Sequence, residues 1–141
     1  MATYTKYNLF IQHFANKEID LHGGTDTLKV VFHSDAPVVA TDETLANLTQ
    51  VTGTGYTAGG EDTLNTGTYS AGTETIGGTD VVWTATAADW TSGQYVSLYD
   101  DTPTTPTADI LIAYWDYGSS FTLGNGETFT VNFGASIFTM A

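Results

Sequence analysis

The sequence predicts a mainly β fold, an antiparallel β-sandwich or barrel-like domain with one short N-terminal helix. Three features point to it: a Thr- and Gly-rich composition with few charges, short alternating segments set off by turn signals, and one stretch of helical spacing near the start. Hydrophobic residues make up 41% of the 141 residues and aromatics 13%, while charged residues reach only 13%, about half the ~25% usual in soluble proteins. Such a chain can bury a core, and its polarity rests on Thr, whose branched β-carbon suits the open face of a pleated sheet. A length of 141 residues fits one domain spanning residues 1–141.

In chain order, Tyr4, Tyr7, Ile11 and Phe14 recur at intervals of 3, 4 and 3, with Phe10 widening the stripe. This spacing predicts an amphipathic helix over Tyr4 to Phe14, capped by Thr3 and barred from continuing by Gly23-Gly24. Leu28 to Phe32 reads as a strand that Asp35-Ala36-Pro37 ends. Residues 41–50 are ambiguous, Leu45 and Leu48 allowing a helical turn, and Gly53 to Gly60 is a loop. Residues 61–80, rich in Gly and Thr, suit a hairpin at the rim or a protruding arm. Val81 to Thr86, Gln94 to Tyr99 and Asp109 to Tyr117 are predicted core strands. Glu127 to Phe133 is the clearest, since Phe129, Val131 and Phe133 alternate with Thr128, Thr130 and Asn132. Gly124-Asn125-Gly126 before it predicts a tight hairpin.

Charge narrows the function. With three Lys, no Arg and sixteen acids the formal net charge is −13, so neither nucleic acid nor an anionic membrane is an expected partner. No window has the ~20 apolar residues of a spanning helix. Lys6, Gln12, His13 and Lys17 interrupt any signal-peptide pattern in the first twenty residues, so export is not expected. The lack of Cys removes disulfides and thiolate chemistry. All three Lys lie within residues 1–33 and are balanced there by Glu18, Asp20 and Asp26, so residues 34–141 carry the whole −13. A helix that needs Lys for solubility accounts for this asymmetry. So does a division into a docking region, residues 1–33, and an acidic β body, residues 34–141.

Catalytic motifs are sparse, and the chain is read as no enzyme, with no cofactor and no metal. The G-x-S-x-G elbow is missing and Gly118-Ser119-Ser120 reads as a turn. His13, His22 and His33 lack the spacing of a shared zinc ion and are expected to face solvent or a partner. Asp100-Asp101 and Glu61-Asp62 are read as solvated loop charge, lacking the EF-hand spacing for Ca²⁺. Asn47-Leu48-Thr49 matches a glycosylation acceptor but carries little weight without a secretory signal. The run Tyr114-Trp115-Asp116-Tyr117 suits core and subunit-interface packing or a sugar-stacking platform. Tyr4, Tyr7, Phe10, Ile11, Phe14, Tyr114, Trp115 and Tyr117 are therefore the candidate partner contacts. For a carbohydrate-binding module, the alternative outside virion proteins, the candidates are Trp90, Trp115 and Tyr117.

KYNLF (Lys6 to Phe10), DTLKV (Asp26 to Val30) followed by Ala36-Pro37, GYTAGG (Gly55 to Gly60) and YWDYGSSFTLGNGETFTVNF (Tyr114 to Phe133) together resemble the capsid decoration or cement proteins of tailed bacteriophages. The likeness covers most of the chain except about residues 61–80. It implies copies on the capsid exterior of the virion, made in the host cytoplasm, bound to the major capsid protein and commonly assembled as homotrimers. A tail or head-fibre component is the alternative within virion proteins.

Overall fold

Tyr4 and Thr5 bear the aromatic and β-branched side chains that favour a pleated strand. The computed structural model, which describes residues 2–141, has them in strand β1 (Tyr4–Lys6), and helix α1 (Leu9–Ala15) follows. The helical spacing therefore spans two elements, and the cap position falls on Asn8, whose side chain makes no capping bond, instead of Thr3. What holds β1 extended is a distant partner, β8 (Ile110–Phe121), with Tyr4 opposite Trp115 and Lys6 opposite Ala113. Gly23-Gly24 does not end α1 either. The helix closes at Asn16 in a Schellman motif, in which the Glu18 N–H donates to the His13 carbonyl at 3.0 Å and the Lys17 N–H to that of Phe14 at 3.1 Å. Lys17, with φ 62°, holds the left-handed position that glycine usually takes.

The strands build three antiparallel sheets. The largest has the order β1-β8-β7-β2-β3, where β2 is Leu28–His33, β3 is Glu61–Asp62 and β7 is Gly93–Asp100. The second is β10-β5-β4 (Phe138–Met140, Thr73–Gly77 and Thr66–Ser70), and the third is the ribbon β6-β9 (Val81–Thr84 and Thr128–Val131). Each strand expected from alternation forms, the 61–80 region holds the β4–β5 hairpin, and Leu45–Asn47 makes a single 3₁₀ turn. The Gly124–Gly126 turn, however, joins no hairpin, because β9 pairs with β6 and not with β8. Long-range bonds hold it elsewhere: the Gly126 N–H donates to the Ala85 carbonyl at 2.8 Å and the Trp90 N–H to that of Leu123 at 3.0 Å.

The architecture is sandwich-like, with the five-stranded sheet facing the two smaller ones. Leu28, Val30 and Phe32 alternate along β2 and enter the main core, where they join Ile76 of β5, Trp83 of β6 and Ile112 of β8. Phe32 is the hub, its ring centroid lying 6.3 Å from Trp83 and 5.1 Å from both Phe121 and Phe129. Val31 points to the opposite face and meets Tyr7, Tyr99 and Leu111 beneath the loop that carries Leu45 and Leu48. β2 is thus buried on both faces. Residues 1–33 are consequently not an appendage to an acidic body, since they supply an edge strand and an inner strand of the same sheet.

The β4–β5 turn holds one unfavourable residue. Both central positions, Ala71 and Gly72, have positive φ (48° and 88°), as a two-residue hairpin of this twist requires. Ala pays a steric cost there that Gly does not. Ala71→Gly is expected to raise unfolding free energy by about 0.5–1 kcal/mol, read from the midpoint of a urea titration.

Candidate functional site

The structure divides the candidate contact residues. Tyr7 and Phe10 are 0% and 1% exposed and belong to the core, so they offer nothing to a partner, and the sequence reading of them is corrected. Tyr114 is half-buried against Tyr7, ring centroids 5.6 Å apart. Trp90 is buried too, its indole N–H donating to the Thr54 carbonyl at 2.9 Å, which removes it as a sugar platform. The one-strand-plus-helix start explains these misplacements, because it rotates Tyr7 and Phe10 inward and leaves Ile11 and Phe14 outside. The remaining candidates fall on two separate surfaces.

One is a groove of about 730 Å³ between the end of α1 and the β4–β5 hairpin. Phe14 and Tyr69, 42% and 65% exposed, both line it, with Lys17 and the His22–Glu74 pair (3.0 Å) at its edge. Tyr69 lies in the region whose sequence gave no functional signal, and only the fold brings it to Phe14.

The other is a cleft of about 370 Å³ where the outer half of β8 meets β9. Trp115 and Tyr117 project from β8, Tyr4 crosses Trp115 edge-on at 5.8 Å, and Phe133 tilts against Trp115 at 5.9 Å. Burial pushes the Tyr4 hydroxyl up to about 12, so it stays protonated as a hydrogen-bond donor. Gln94, Thr130, Asn132 and Ser136 add amides and hydroxyls, and none of the residues lining the cleft carries a charge.

Two titratable groupings are buried instead. His33 is sealed at 0% exposure, contrary to the expected solvated or partner-facing role, and its Nε2 lies 2.9 Å from Ser97 Oγ and its Nδ1 3.3 Å from Asp35 Oδ1. This has the connectivity of a Ser-His-Asp triad. Ser97 is equally sealed, and its Oγ is also held by the Tyr7 hydroxyl at 2.9 Å. Burial lowers the His33 pKa, and a neutral ring protonated at Nδ1 accepts a hydrogen bond from the Ser97 hydroxyl at Nε2 and donates one from Nδ1 to Asp35. Nucleophile and base both lie away from the two open cavities, and the network ties the start of the chain to β7 and β2. His13 is buried as well, bonded to Glu18 at 2.7 Å and Glu43 at 2.9 Å. His22 alone is exposed, as expected.

Asp100 was expected among solvated loop charges but is 0% exposed at the end of β7. Its Oδ1 accepts from the Thr102 N–H at 3.0 Å, its Oδ2 has no hydrogen-bond partner, and the carboxyl of Asp26 is close by. Desolvation, reinforced by Asp26, pushes Asp100 up to about 8. Lys29 offers no relief, being paired with Asp101 at 2.7 Å. Among the described residues no group of three or more His, Cys, Asp or Glu has the geometry to hold a metal ion. Comparison of the chain with protein-family models, with curated proteins and with solved structures gives no match.

Proposed function

We propose that the chain is a virion structural protein without catalytic activity, a decoration or cement protein that binds the outer surface of a tailed-phage capsid as a homotrimer. The observation that carries the reading is the groove at the end of α1. There Phe14 and Tyr69 expose apolar rings beside Lys17, where the charge-balanced residues 1–33 meet the β4–β5 hairpin. Docking through this surface brings the Phe14 and Tyr69 rings against the major capsid protein as the centre of a contact, with the charged groups of Lys17, Asp20 and Glu74 around them. It leaves the carboxylates of the remaining chain toward solvent, where they repel neighbouring copies. A protein that binds only the assembled shell stabilises it by RT ln(1 + [L]/Kd), which opposes disruption by genome pressure.

Phe14→Asp combined with Tyr69→Ala should weaken binding to decoration-free capsid shells by at least tenfold in co-sedimentation, while circular dichroism stays unchanged because both side chains lie outside the core. Equal binding by the variant would reject the groove as the docking surface. A place in a tail or head fibre is the second reading, supported by the aromatic cleft, which suits a receptor-facing component. Immunogold labelling of virions separates the two.

A further inference from the structure

We infer that the cleft between β8 and β9 is a binding site for a neutral saccharide. Four features of the cleft specify this ligand class. Its volume, about 370 Å³, falls in the range of small-ligand sites. Its floor presents aromatic rings, whose apolar faces and polar edges match the alternating C–H and O–H surfaces of a sugar ring. Trp115 and Tyr117 lie two residues apart on one strand, roughly 6.8 Å along it at 3.4 Å per residue, so both project from the same face of β8.

Polar groups of both senses surround the rings. Gln94 spends one amide N–H on Asp116 Oδ1 at 2.9 Å, and Asn132 spends Oδ1 on the Gly134 N–H at 2.9 Å. Each amide offers four hydrogen-bonding positions, so each retains capacity for ligand hydroxyls. β9 pairs with β6 along one edge only, so the part of the wall it forms adds main-chain donors and acceptors, whereas the Phe133 N–H is held by Asp80 Oδ1 at 2.9 Å.

The lining also sets the ligand's charge. On a chain of net charge −13, no lining side chain of the cleft is charged, and the nearby carboxylates of Asp116 and Asp80 are held by Gln94 and the Phe133 N–H, each at 2.9 Å. An anionic sugar would meet the repulsion of the whole body with no cation to receive it, and a cationic one would find no carboxylate among the lining side chains. A peptide strand added to β9 is disfavoured, because a four-residue strand offers only about two ladder bonds. The cleft shares no lining residue with the groove beside α1, so the inference stands apart from the docking reading.

The test is fluorescence titration of the purified full chain with neutral hexasaccharides of glucose and of N-acetylglucosamine, with hyaluronan as the anionic control. Trp83 and Trp90 are buried, so Trp115 reports the cleft. At least one neutral saccharide is expected to shift the emission, and hyaluronan is not. Tyr117→Ala, a change at a side chain 61% exposed, and Asn132→Ala should each weaken binding at least fivefold with unchanged circular dichroism. Several results would overturn the inference: no response to any neutral saccharide at millimolar concentration, equal binding by both variants, or light scattering and hydrogen exchange that reveal a second copy covering β9.

Discussion

Asp100→Asn is expected to remove most of the fall in stability that this protein undergoes as pH rises from about 4 to about 8. Asp100 is pushed up from an ordinary 3.8 to about 8 by burial beside Asp26, so the folded chain keeps a proton there that the unfolded chain releases near pH 4. The stabilising contribution of that proton is complete below the unfolded pKa, diminishes through the interval, and is lost once pH passes the folded value. At pH 9 ionised Asp100 costs on the order of 5 kcal/mol relative to pH 4. Asn has the shape of Asp, keeps an oxygen for the Thr102 N–H, and replaces the protonated oxygen with an amide that carries no titrating proton. Urea titrations at pH 4 and pH 9 should find the variant and the parent similar at the lower pH and the variant more stable at the higher. Equal slopes of stability against pH in the two proteins would mean that the pair carries no proton. His33 acts in the opposite sense: burial lowers its pKa, so stability falls as pH drops below about 6.5 and the unfolded chain takes up a proton that the folded one resists.

The second large effect is expected at Phe32. This ring lies at 0% exposure, packs on Phe121 of its own sheet, and joins that five-stranded sheet to the β6–β9 ribbon through Trp83 and Phe129. Around it the backbone has no slack, since a β-carbon added to Gly93 would come within 2.5 Å of the Phe32 ring. A site packed this closely collapses poorly around a deletion, so Phe32→Ala should cost about 3–5 kcal/mol. Because the ribbon forms one wall of the aromatic cleft, the variant should also lose the saccharide response. A loss under about 1 kcal/mol in equilibrium unfolding would show that the two layers do not depend on this contact.

These effects also mark where sequence pattern was informative. Alternation located β2, β6, β7, β8 and β9 because each buries one face or both, and a period of two survives in the side chains whatever the strand pairs with. Pairing itself leaves no such trace. Tyr4 sits on a strand because Trp115 lies opposite it 111 residues away in sequence, and a local window reads the same residues as one turn of helix. The Gly124–Gly126 turn was legible as a turn, whereas its use to carry the chain from the large sheet to the ribbon depends on bonds to Ala85 and from Trp90. Trp115 and Tyr117 were legible as aromatic candidates, but not their grouping with Tyr4 and Phe133, which needs three strands and the Phe133 segment in register. The burial of His33, Ser97 and Asp100 had no sequence signal, since polar residues at these spacings ordinarily face water.

Cryo-electron microscopy of intact virions tests the central claim most directly. The account expects density of this sandwich fold on the outer capsid surface, in clusters of three, with α1 and the β4–β5 hairpin turned toward the shell and the β8–β9 cleft open to solvent. A shell without this density, or copies attached through the cleft with the α1 groove facing outward, would contradict it.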